Sequence, residues 1–275
     1  MFYVYLIVSA VLVPVLNNFF DILKQPYSWW LVPLMILGFF ICFVLIHFAW
    51  FLILILTSNF SKSADKCTKL FRFLAKPIIP FLISLAGVEL DNSGLEKLPE
   101  TKERMLFVSN HLDNIDPLFL LNAFPDNQIA FIGKKDILTQ MPFVAKIMNR
   151  LQSLFIDREN DREAAKTIIK AIRLITEDKA SIGLFPEGYV SKSGELLPLR
   201  NGSLKIALKA KCPIVVCVLH NTPAVFKNIF RRKSYVTFRL VDVIYPETFK
   251  DMKTQQLGDL IFKKMHNALE EIKNK

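Results

Sequence analysis

The sequence predicts an α/β fold in which helices flank a mostly parallel central sheet, preceded by an N-terminal membrane-embedded helical hairpin. Two observations lead to this prediction. Short apolar runs alternate with helical periodicity from residue 104 onward, and two long apolar segments occupy the first 57 residues. The 275 residues are 52% hydrophobic with a mean hydropathy of +0.33, which excludes a disordered chain.

The hairpin is predicted from the two apolar segments. Residues 29–56 form an apolar run that only His47 interrupts, and about 20 residues suffice to span the hydrocarbon core of a bilayer. The earlier run, residues 2–16, is shorter and contains Pro14. It either just spans the bilayer or forms half of a hairpin that lies in one leaflet, and the sequence leaves both readings open.

The charge distribution separates the chain into an apolar and a basic part. Residues 1–57 carry one Asp and one Lys, so the whole net charge of +10 belongs to residues 58–275. A basic domain joined to an apolar one favours membrane phospholipids or phosphorylated substrates as partners. Nucleic acid is not an expected partner, because zinc-finger spacings and aromatic RNA-binding motifs are missing from the sequence.

Three parts of the chain follow from these patterns: membrane-anchoring helices over 1–60, a basic amphipathic interfacial segment over 61–90, and an α/β catalytic domain over 91–275. The interfacial segment mixes cations with Phe and Leu, which predicts a surface-lying helix interrupted at Pro77 and Pro80. Cations after the second apolar segment place the catalytic domain on the cytoplasmic face, and we expect a bacterial cell membrane.

The α/β domain is predicted from alternating strand-like and helix-like segments. Candidate strands cover residues 105–109, 129–132, 154–156, 181–185, 214–219 and 236–243. Candidate helices cover residues 117–124, 142–148, 162–177, 203–209 and 255–272. In the helix over 162–177, an apolar stripe is predicted to face the core, and Asn160 or Asp161 is predicted to cap the first turn. The stripe consists of Ala165, Ile168, Ile169, Ile172 and Ile175.

The loop after the first of these strands carries a histidine and a carboxylate. His111 follows the strand directly, and Asp116 stands five residues later, before Pro117. A bend between them lets the carboxylate bond one imidazole nitrogen, so that the other nitrogen is fixed as a proton acceptor. The alternative is that Asp116 caps a helix whose first residue is Pro117. The four histidines are too scattered to predict a metal site.

A second candidate loop follows the strand over 181–185. Its Pro186-Glu187-Gly188 turn ends an apolar run, and a glycine permits the close approach of a ligand or a positive φ angle. The same three residues also occur in ordinary turns. The turn therefore carries weight only together with other motifs.

Four short motifs in order resemble those of the glycerolipid acyltransferase family, which includes the 1-acylglycerol-3-phosphate acyltransferases. The likeness covers residues 106–219, and the apolar N-terminal element also resembles the membrane anchor of that family. The motifs are Asn110-His111-x4-Asp116, Phe155-Ile156-Asp157-Arg158, Phe185-Pro186-Glu187-Gly188 and Cys212-Pro213-Ile214-Val215-Val216.

The resemblance implies transfer of a fatty acyl group to the free hydroxyl of a lysophospholipid, converting 1-acylglycerol 3-phosphate to phosphatidic acid. The donor is acyl-CoA or acyl carrier protein, which acts as a substrate, and no cofactor is bound. His111 is the implied general base, with Asp116 as its orienting group. Arg158 is expected to hold the acceptor phosphate, with Glu187 and Gly188 shaping the acceptor site. Pro213 is expected to begin the motif that lines the acyl side.

One departure from the family pattern affects the acceptor. The third motif of the family commonly reads Glu-Gly-Thr-Arg-Ser, whereas this chain has Tyr189 and Val190 at the central positions. Valine cannot bind phosphate, so the neighbouring Lys192 and Arg200 enter as substitute binding residues, with Lys134 and Lys135 from another loop as weaker candidates. Two alternatives stay open: an acyltransferase for a different lysophospholipid or membrane alcohol, and a non-catalytic membrane lipid-binding protein.

Overall fold

The computed structural model describes residues 2–20, 31–57, 69–101, 103–229 and 231–274. The helices in these ranges are α1 (Phe2–Phe20), α2 (Leu31–Leu56), α3 (Lys69–Leu85), α4 (Asp116–Ala123), α5 (Ile137–Gln140), α6 (Pro142–Arg150), α7 (Asp161–Thr176), α8 (Lys205–Ala210), α9 (Ala224–Asn228), α10 (Pro246–Phe249) and α11 (Thr254–Lys273). The strands are β1 (Val88–Ser93), β2 (Leu106–Val108), β3 (Ile129–Lys134), β4 (Leu154–Ile156), β5 (Ser181–Leu184), β6 (Ile214–His220) and β7 (Ser234–Ile244).

The strands form one sheet in the order β1-β7-β6-β2-β5-β3-β4. Strands β6, β2, β5, β3 and β4 run parallel, β7 is antiparallel to β6, and β1 is parallel to β7. Helices α7, α8 and α11 pack on one face of the sheet, and α3 and α4 pack on the other. Because both faces are covered, the central strands are apolar throughout. The predicted α/β class is confirmed.

Strand β1 was not predicted, and it moves a predicted boundary. The strand pairs along its length with β7 at the edge of the sheet, with Val88 opposite Ser234. Its sequence, VELDNS, contains no apolar run because much of it is exposed. The expected division between residues 90 and 91 falls inside this strand, so the sheet begins at Val88.

The N-terminal helices α1 and α2 pack against each other. In the part of the chain that the structure describes, α2 is the helix long and apolar enough to cross a membrane, while the apolar part of α1, Tyr3–Asn18, is shorter. The buried His47 links three helices: its Nε2 donates to the Leu74 carbonyl at 2.9 Å, and its Nδ1 accepts from the Tyr5 hydroxyl at 2.5 Å. The turn of the hairpin, residues 21–30, lies outside the described residues.

Helix α3 corrects the expected break at the two prolines. The helix continues through both Pro77 and Pro80, although each proline removes one backbone hydrogen bond and costs about 3 kcal/mol in a helix interior. Its buried face, which includes Phe71 and Ile78, packs between α2 and the α/β domain and offsets that cost. The Arg72 guanidinium also donates to the Leu151 carbonyl at 3.0 Å. Residues 61–68 of the predicted interfacial segment lie outside the described ranges.

Helix α7 confirms the predicted cap and revises the predicted stripe. The Asn160 side chain accepts a hydrogen bond from the Glu163 amide at 3.1 Å. Ile175 is buried as predicted, whereas Ile169 is 51% exposed and Ala165 is also exposed. The apolar face of α7 is therefore wider than its core contact, and its outer part lines an open groove.

Candidate active site

The carboxyl ends of the parallel strands gather the polar side chains of the site at one edge of the sheet. His111 follows β2, Arg158 follows β4, Glu187 follows β5 and Thr222 follows β6. Ligands of open α/β sheets bind at this edge, where loops leave the strands. The fourth predicted motif behaves differently, because Pro213 precedes β6 and therefore lies at the opposite edge of the sheet. The expectation that Pro213 begins the motif lining the acyl side stays a prediction.

The His111 imidazole is held on one side by a carboxylate and on one face by an aromatic ring. Its Nδ1 lies 2.8 Å from Asp116 Oδ2, and its ring stacks on Phe185 with centroids 4.3 Å apart. With Nδ1–H donating to the carboxylate, the lone pair of neutral imidazole resides on Nε2. The side chain retains 16% exposure, so the ring is reachable from solvent.

Asp116 is fully buried and accepts four hydrogen bonds. Oδ2 accepts from His111 Nδ1 and from the amides of Leu112 and Asp113 at 2.6 and 2.9 Å, and Oδ1 accepts from the Thr222 hydroxyl at 2.6 Å. These four donors fix the position of the carboxylate. The helix-cap alternative is wrong, because the carboxylate points back into the preceding loop and not at the amides of α4.

Two further residues support the His111–Asp116 dyad: the sequence analysis missed Thr222, and it named Asn110 only as part of the first motif. Thr222 supplies the hydroxyl on Asp116, and the Asn110 side-chain amide exchanges hydrogen bonds of 2.9 and 2.7 Å with the backbone of Leu219. The two hydrogen bonds of Asn110 hold the His111 loop against β6. Thr222 stands two residues beyond β6, so a search of every strand end for polar side chains would have included it.

Glu187 has a different contact from the one expected. It is 2% exposed, and its two carboxylate oxygens accept from the amides of His111 at 2.6 Å and Leu197 at 2.7 Å. Burial raises the pKa of Glu187 to about 7. Glu187 is expected to shape the acceptor site as a substrate-binding residue. Its buried carboxylate instead accepts two backbone hydrogen bonds and fixes the backbone at His111.

Arg158 and Arg200 converge on the Tyr189 ring, with their guanidinium carbons 5.5 and 4.8 Å from its centroid. Arg158 is half-buried and Arg200 is exposed. Burial and then the neighbouring charge of Arg200 hold the pKa of Arg158 below its usual range. Gly188 has a φ of +78°, and an added Cβ would lie 2.9 Å from Arg200 Cδ, so a glycine is needed for Arg200 to pack here.

The predicted lysines are less well placed than the two arginines. Lys134 is half-exposed and forms an ion pair with Asp136 that neutralises its charge. Lys135 lies 3.5 Å from an Asp157 oxygen. The structure therefore brings Arg158, Gly188 and Arg200 together and leaves Lys134 in a separate surface pair.

An open groove of about 500 Å³ begins beside the two arginines and follows α7. Its walls are mainly apolar, formed by Ile156, Ile168, Ile172 and Phe185, while Lys205 and Lys209 also lie along it. A guanidinium pair at the side of an apolar groove fits an amphiphile that carries an anionic group.

Comparisons with known proteins assign this site to a family. The acyltransferase family model matches residues 89–220. The 1-acyl-sn-glycerol-3-phosphate acyltransferase of Borreliella burgdorferi is 31% identical over 198 residues, which cover 70% of this chain and 78% of the relative. The chain belongs to the acyltransferase family. It is an O-acyltransferase, and the matched residues contain the loops that follow β2, β4 and β5.

Other comparisons agree with this assignment. The 1-acyl-sn-glycerol-3-phosphate acyltransferase of Limnanthes alba is 30% identical over 196 residues, covering 70% of this chain and 67% of the relative. The crystal structure of the 1-acyl-sn-glycerophosphate acyltransferase from Thermotoga maritima superimposes with a TM-score of 0.64 at 16% identity, covering 100% of this chain and 99% of that one. At that identity the likeness concerns the fold.

Proposed function

We propose that this acyltransferase converts 1-acylglycerol 3-phosphate to phosphatidic acid, with a His111–Asp116 dyad as general base. The acyl donor is the thioester of acyl-CoA or acyl carrier protein. The observation that carries the proposal is the 2.8 Å bond between His111 Nδ1 and Asp116 Oδ2, which leaves Nε2 as a base at the carboxyl edge of the sheet. The names of the relatives from Borreliella burgdorferi and Limnanthes alba support the choice of acceptor.

The proposed reaction is a direct transfer. The acceptor hydroxyl gives its proton to His111 Nε2 as its oxygen attacks the carbonyl carbon of the thioester. The carbon–sulfur bond then breaks, and the imidazolium returns the proton to the leaving thiolate. Asp116 stabilises the transient imidazolium through its negative charge, and the products are an ester and a free thiol. General base catalysis of this kind contributes about 10²–10⁴-fold to the rate.

The acceptor phosphate is proposed to bind between Arg158 and Arg200. Guanidinium groups donate paired hydrogen bonds to phosphate oxygens, and two of them suit a dianion. Val190 stands where the family has an arginine, and Arg200 is proposed to replace that arginine, because its guanidinium lies at the same turn and its side chain packs on Gly188. This placement favours the phosphomonoester acceptor over the alternative acceptors, and the intact dyad argues against a non-catalytic lipid-binding protein.

The apolar groove along α7 is proposed to hold an acyl chain of one of the two substrates. Its volume, about 500 Å³, lies within the range of small-molecule sites, and Ile168 and Ile172 offer the chain an apolar wall. The site then brings a phosphate, a hydroxyl and a thioester together beside one imidazole.

The anchoring of the enzyme follows from the first two helices. We propose that α1 and α2 hold the chain in the membrane, that the segment up to residue 87 lies at the interface, and that the α/β domain faces the cytoplasm of a bacterial cell. The apolar length of α2 and the positive charge beyond residue 57 support this arrangement. Membrane phospholipids and the acyl donor are then the partners of the enzyme.

The test is acylation of 1-acylglycerol 3-phosphate by the full-length chain with labelled acyl-CoA. We expect His111→Ala to reduce kcat by at least about 10²-fold. His266→Ala is the matched control, because His266 is exposed on α11 and stacks on Phe262 away from the dyad. If the His111 variant retains native turnover, the proposed mechanism is wrong.

A panel of acceptors tests the proposed substrate. One membrane preparation is given 1-acylglycerol 3-phosphate, a lysophosphatidylcholine or a monoacylglycerol, each with acyl-CoA and with acyl carrier protein as donors. The proposal predicts the highest kcat/KM for the phosphomonoester. A higher value for either other acceptor contradicts the proposed acceptor and leaves the acyltransferase reaction intact.

A further inference from the structure

Tyr189 combines high exposure with two close cationic contacts. Its side chain is 54% exposed, yet the guanidinium groups of Arg158 and Arg200 both lie over its ring. The Arg200 Nη2 also donates to the Tyr189 hydroxyl at 2.9 Å. Among the residues that the structure describes, no carboxylate forms an ion pair with either arginine.

Arg158 and Arg200 repel each other where they converge, and Asp136, which pairs with Lys134, offsets only part of this repulsion at Arg158. An aromatic face carries the negative part of the ring quadrupole and attracts cations within about 6 Å of the centroid. Tyr189 therefore supplies an attraction that partly offsets the repulsion between Arg158 and Arg200. Because the ring is uncharged, the pair keeps its full positive charge for an anion.

The backbone brings Arg200 to this ring from 11 residues further along the chain. The Arg200 amide donates to the Pro186 carbonyl at 2.7 Å, and its side chain packs against Gly188. The guanidinium is thus aligned along the turn that carries Tyr189. Arg158 reaches the ring from the end of β4, so Tyr189 joins two separate parts of the site.

We propose that Tyr189 is a positioning residue that holds Arg158 and Arg200 as one phosphate-binding pair and so selects a phosphomonoester acceptor. This inference rests on the proposed function and deepens it. Two guanidinium groups side by side match the several free oxygens of a phosphomonoester. A phosphodiester headgroup has fewer free oxygens, and a cationic headgroup such as choline is repelled by the pair.

The experiment compares Tyr189→Ala and Tyr189→Phe with the native enzyme. We expect Tyr189→Ala to raise the KM for 1-acylglycerol 3-phosphate about tenfold through loss of both ring contacts, while kcat stays within about threefold. Tyr189→Phe keeps the ring and loses only the hydroxyl bond, so its KM is expected to rise by about threefold or less. Tyr235→Ala is the control, since Tyr235 is also exposed, at 65%, and lies on β7.

A second readout is independent of the acylation reaction. Binding of sn-glycerol 3-phosphate to the detergent-solubilised chain is measured by its effect on thermal unfolding, and we expect Tyr189→Ala to weaken that binding about tenfold. Unchanged binding and unchanged KM in Tyr189→Ala would overturn the inference, as would a fall in kcat with KM unchanged. Inactivity of the native enzyme toward lysophospholipids refutes the proposed function instead, and the binding measurement still decides the role of Tyr189.

Discussion

The substitution Asp116→Asn removes the negative charge of the carboxylate that orients His111 and keeps the shape of the side chain. Three N–H donors, from His111, Leu112 and Asp113, converge on Oδ2, whereas Oδ1 receives only the Thr222 hydroxyl. An asparagine with its carbonyl oxygen at the Oδ2 position keeps the three donors. Its amide group then faces Thr222, whose hydroxyl oxygen can accept a hydrogen bond. The variant is therefore expected to fold with His111 in its native tautomer.

The effect on the rate follows from the lost charge. When His111 takes the substrate proton, its imidazolium faces a carboxylate in the native enzyme and a neutral amide in the variant. A unit charge pair at about 4 Å contributes about 4 kcal/mol at an effective dielectric constant of about 20. That energy corresponds to about 10³-fold in kcat. Since hydrogen bonds to a neutral acceptor are weaker, we also expect the free energy of unfolding to fall by about 2 kcal/mol.

The assay measures kcat at saturating donor and acceptor, together with denaturant unfolding of the same preparations. In the double variant Asp116→Asn with Thr222→Val, the buried side-chain amide of the asparagine has no hydrogen-bond acceptor at position 222. The free energy of unfolding should therefore be lower than that of Asp116→Asn by roughly 1–3 kcal/mol. Thr222→Val alone is the control for that comparison. A folded Asp116→Asn variant with kcat within about tenfold of the native value would refute the electrostatic role of Asp116.

Three further predictions concern residues around the dyad and the hairpin. Gly188→Ala should displace Arg200 and raise the KM for 1-acylglycerol 3-phosphate in steady-state assays, because the new Cβ would lie 2.9 Å from Arg200 Cδ. Burial raises the pKa of Glu187 from 4.5 to about 7. Between these two pH values, Glu187 keeps its proton in the folded chain and has lost it in the unfolded chain. Relative to Glu187→Gln, the native free energy of unfolding should therefore fall as pH rises from 4.5 to about 7, measured by denaturant titration. Tyr5→Phe should lower the free energy of unfolding by about 1–3 kcal/mol, measured by thermal unfolding in detergent, because it removes the hydroxyl bonded to His47.

Each of these predictions has a contradicting result. An unchanged KM in Gly188→Ala would mean that Arg200 does not need its contact with the turn. Parallel stability curves for the native chain and Glu187→Gln would exclude the proton uptake assigned to Glu187. Native thermal stability in Tyr5→Phe would show that the link to His47 does not hold α1.

The central strands were predictable because a strand that is buried on both faces has apolar residues at consecutive positions. Runs such as residues 214–219 are apolar at consecutive positions, and turn residues follow them. Strand β1 has no such apolar run, since it is an edge strand with exposed polar residues. The continuity of α3 through Pro77 and Pro80 was equally hidden, because tertiary packing and not local propensity decides it.

The candidate site was predictable where its residues are close in sequence. His111 and Asp116 are five positions apart, so one bend in a loop brings them together. The contact between Arg200 and Tyr189 depends on how a loop returns to the turn. The sequence indicated Arg200 as a substitute for the missing arginine of the third motif, but not its contact with Tyr189. The role of Glu187 was assigned differently because the sequence does not show which backbone amides its side chain meets.

The central claim is that neutral His111 carries its proton on Nδ1, facing Asp116, and leaves Nε2 free to accept a proton. Nuclear magnetic resonance of the chain labelled with ¹⁵N in its histidine rings measures this most directly, with His111→Ala used to assign the signals. The account predicts a protonated Nδ1 and an unprotonated Nε2 for the neutral form of this residue, and retention of that pattern in Asp116→Asn. A proton on Nε2 of neutral His111 in the native chain would contradict the account.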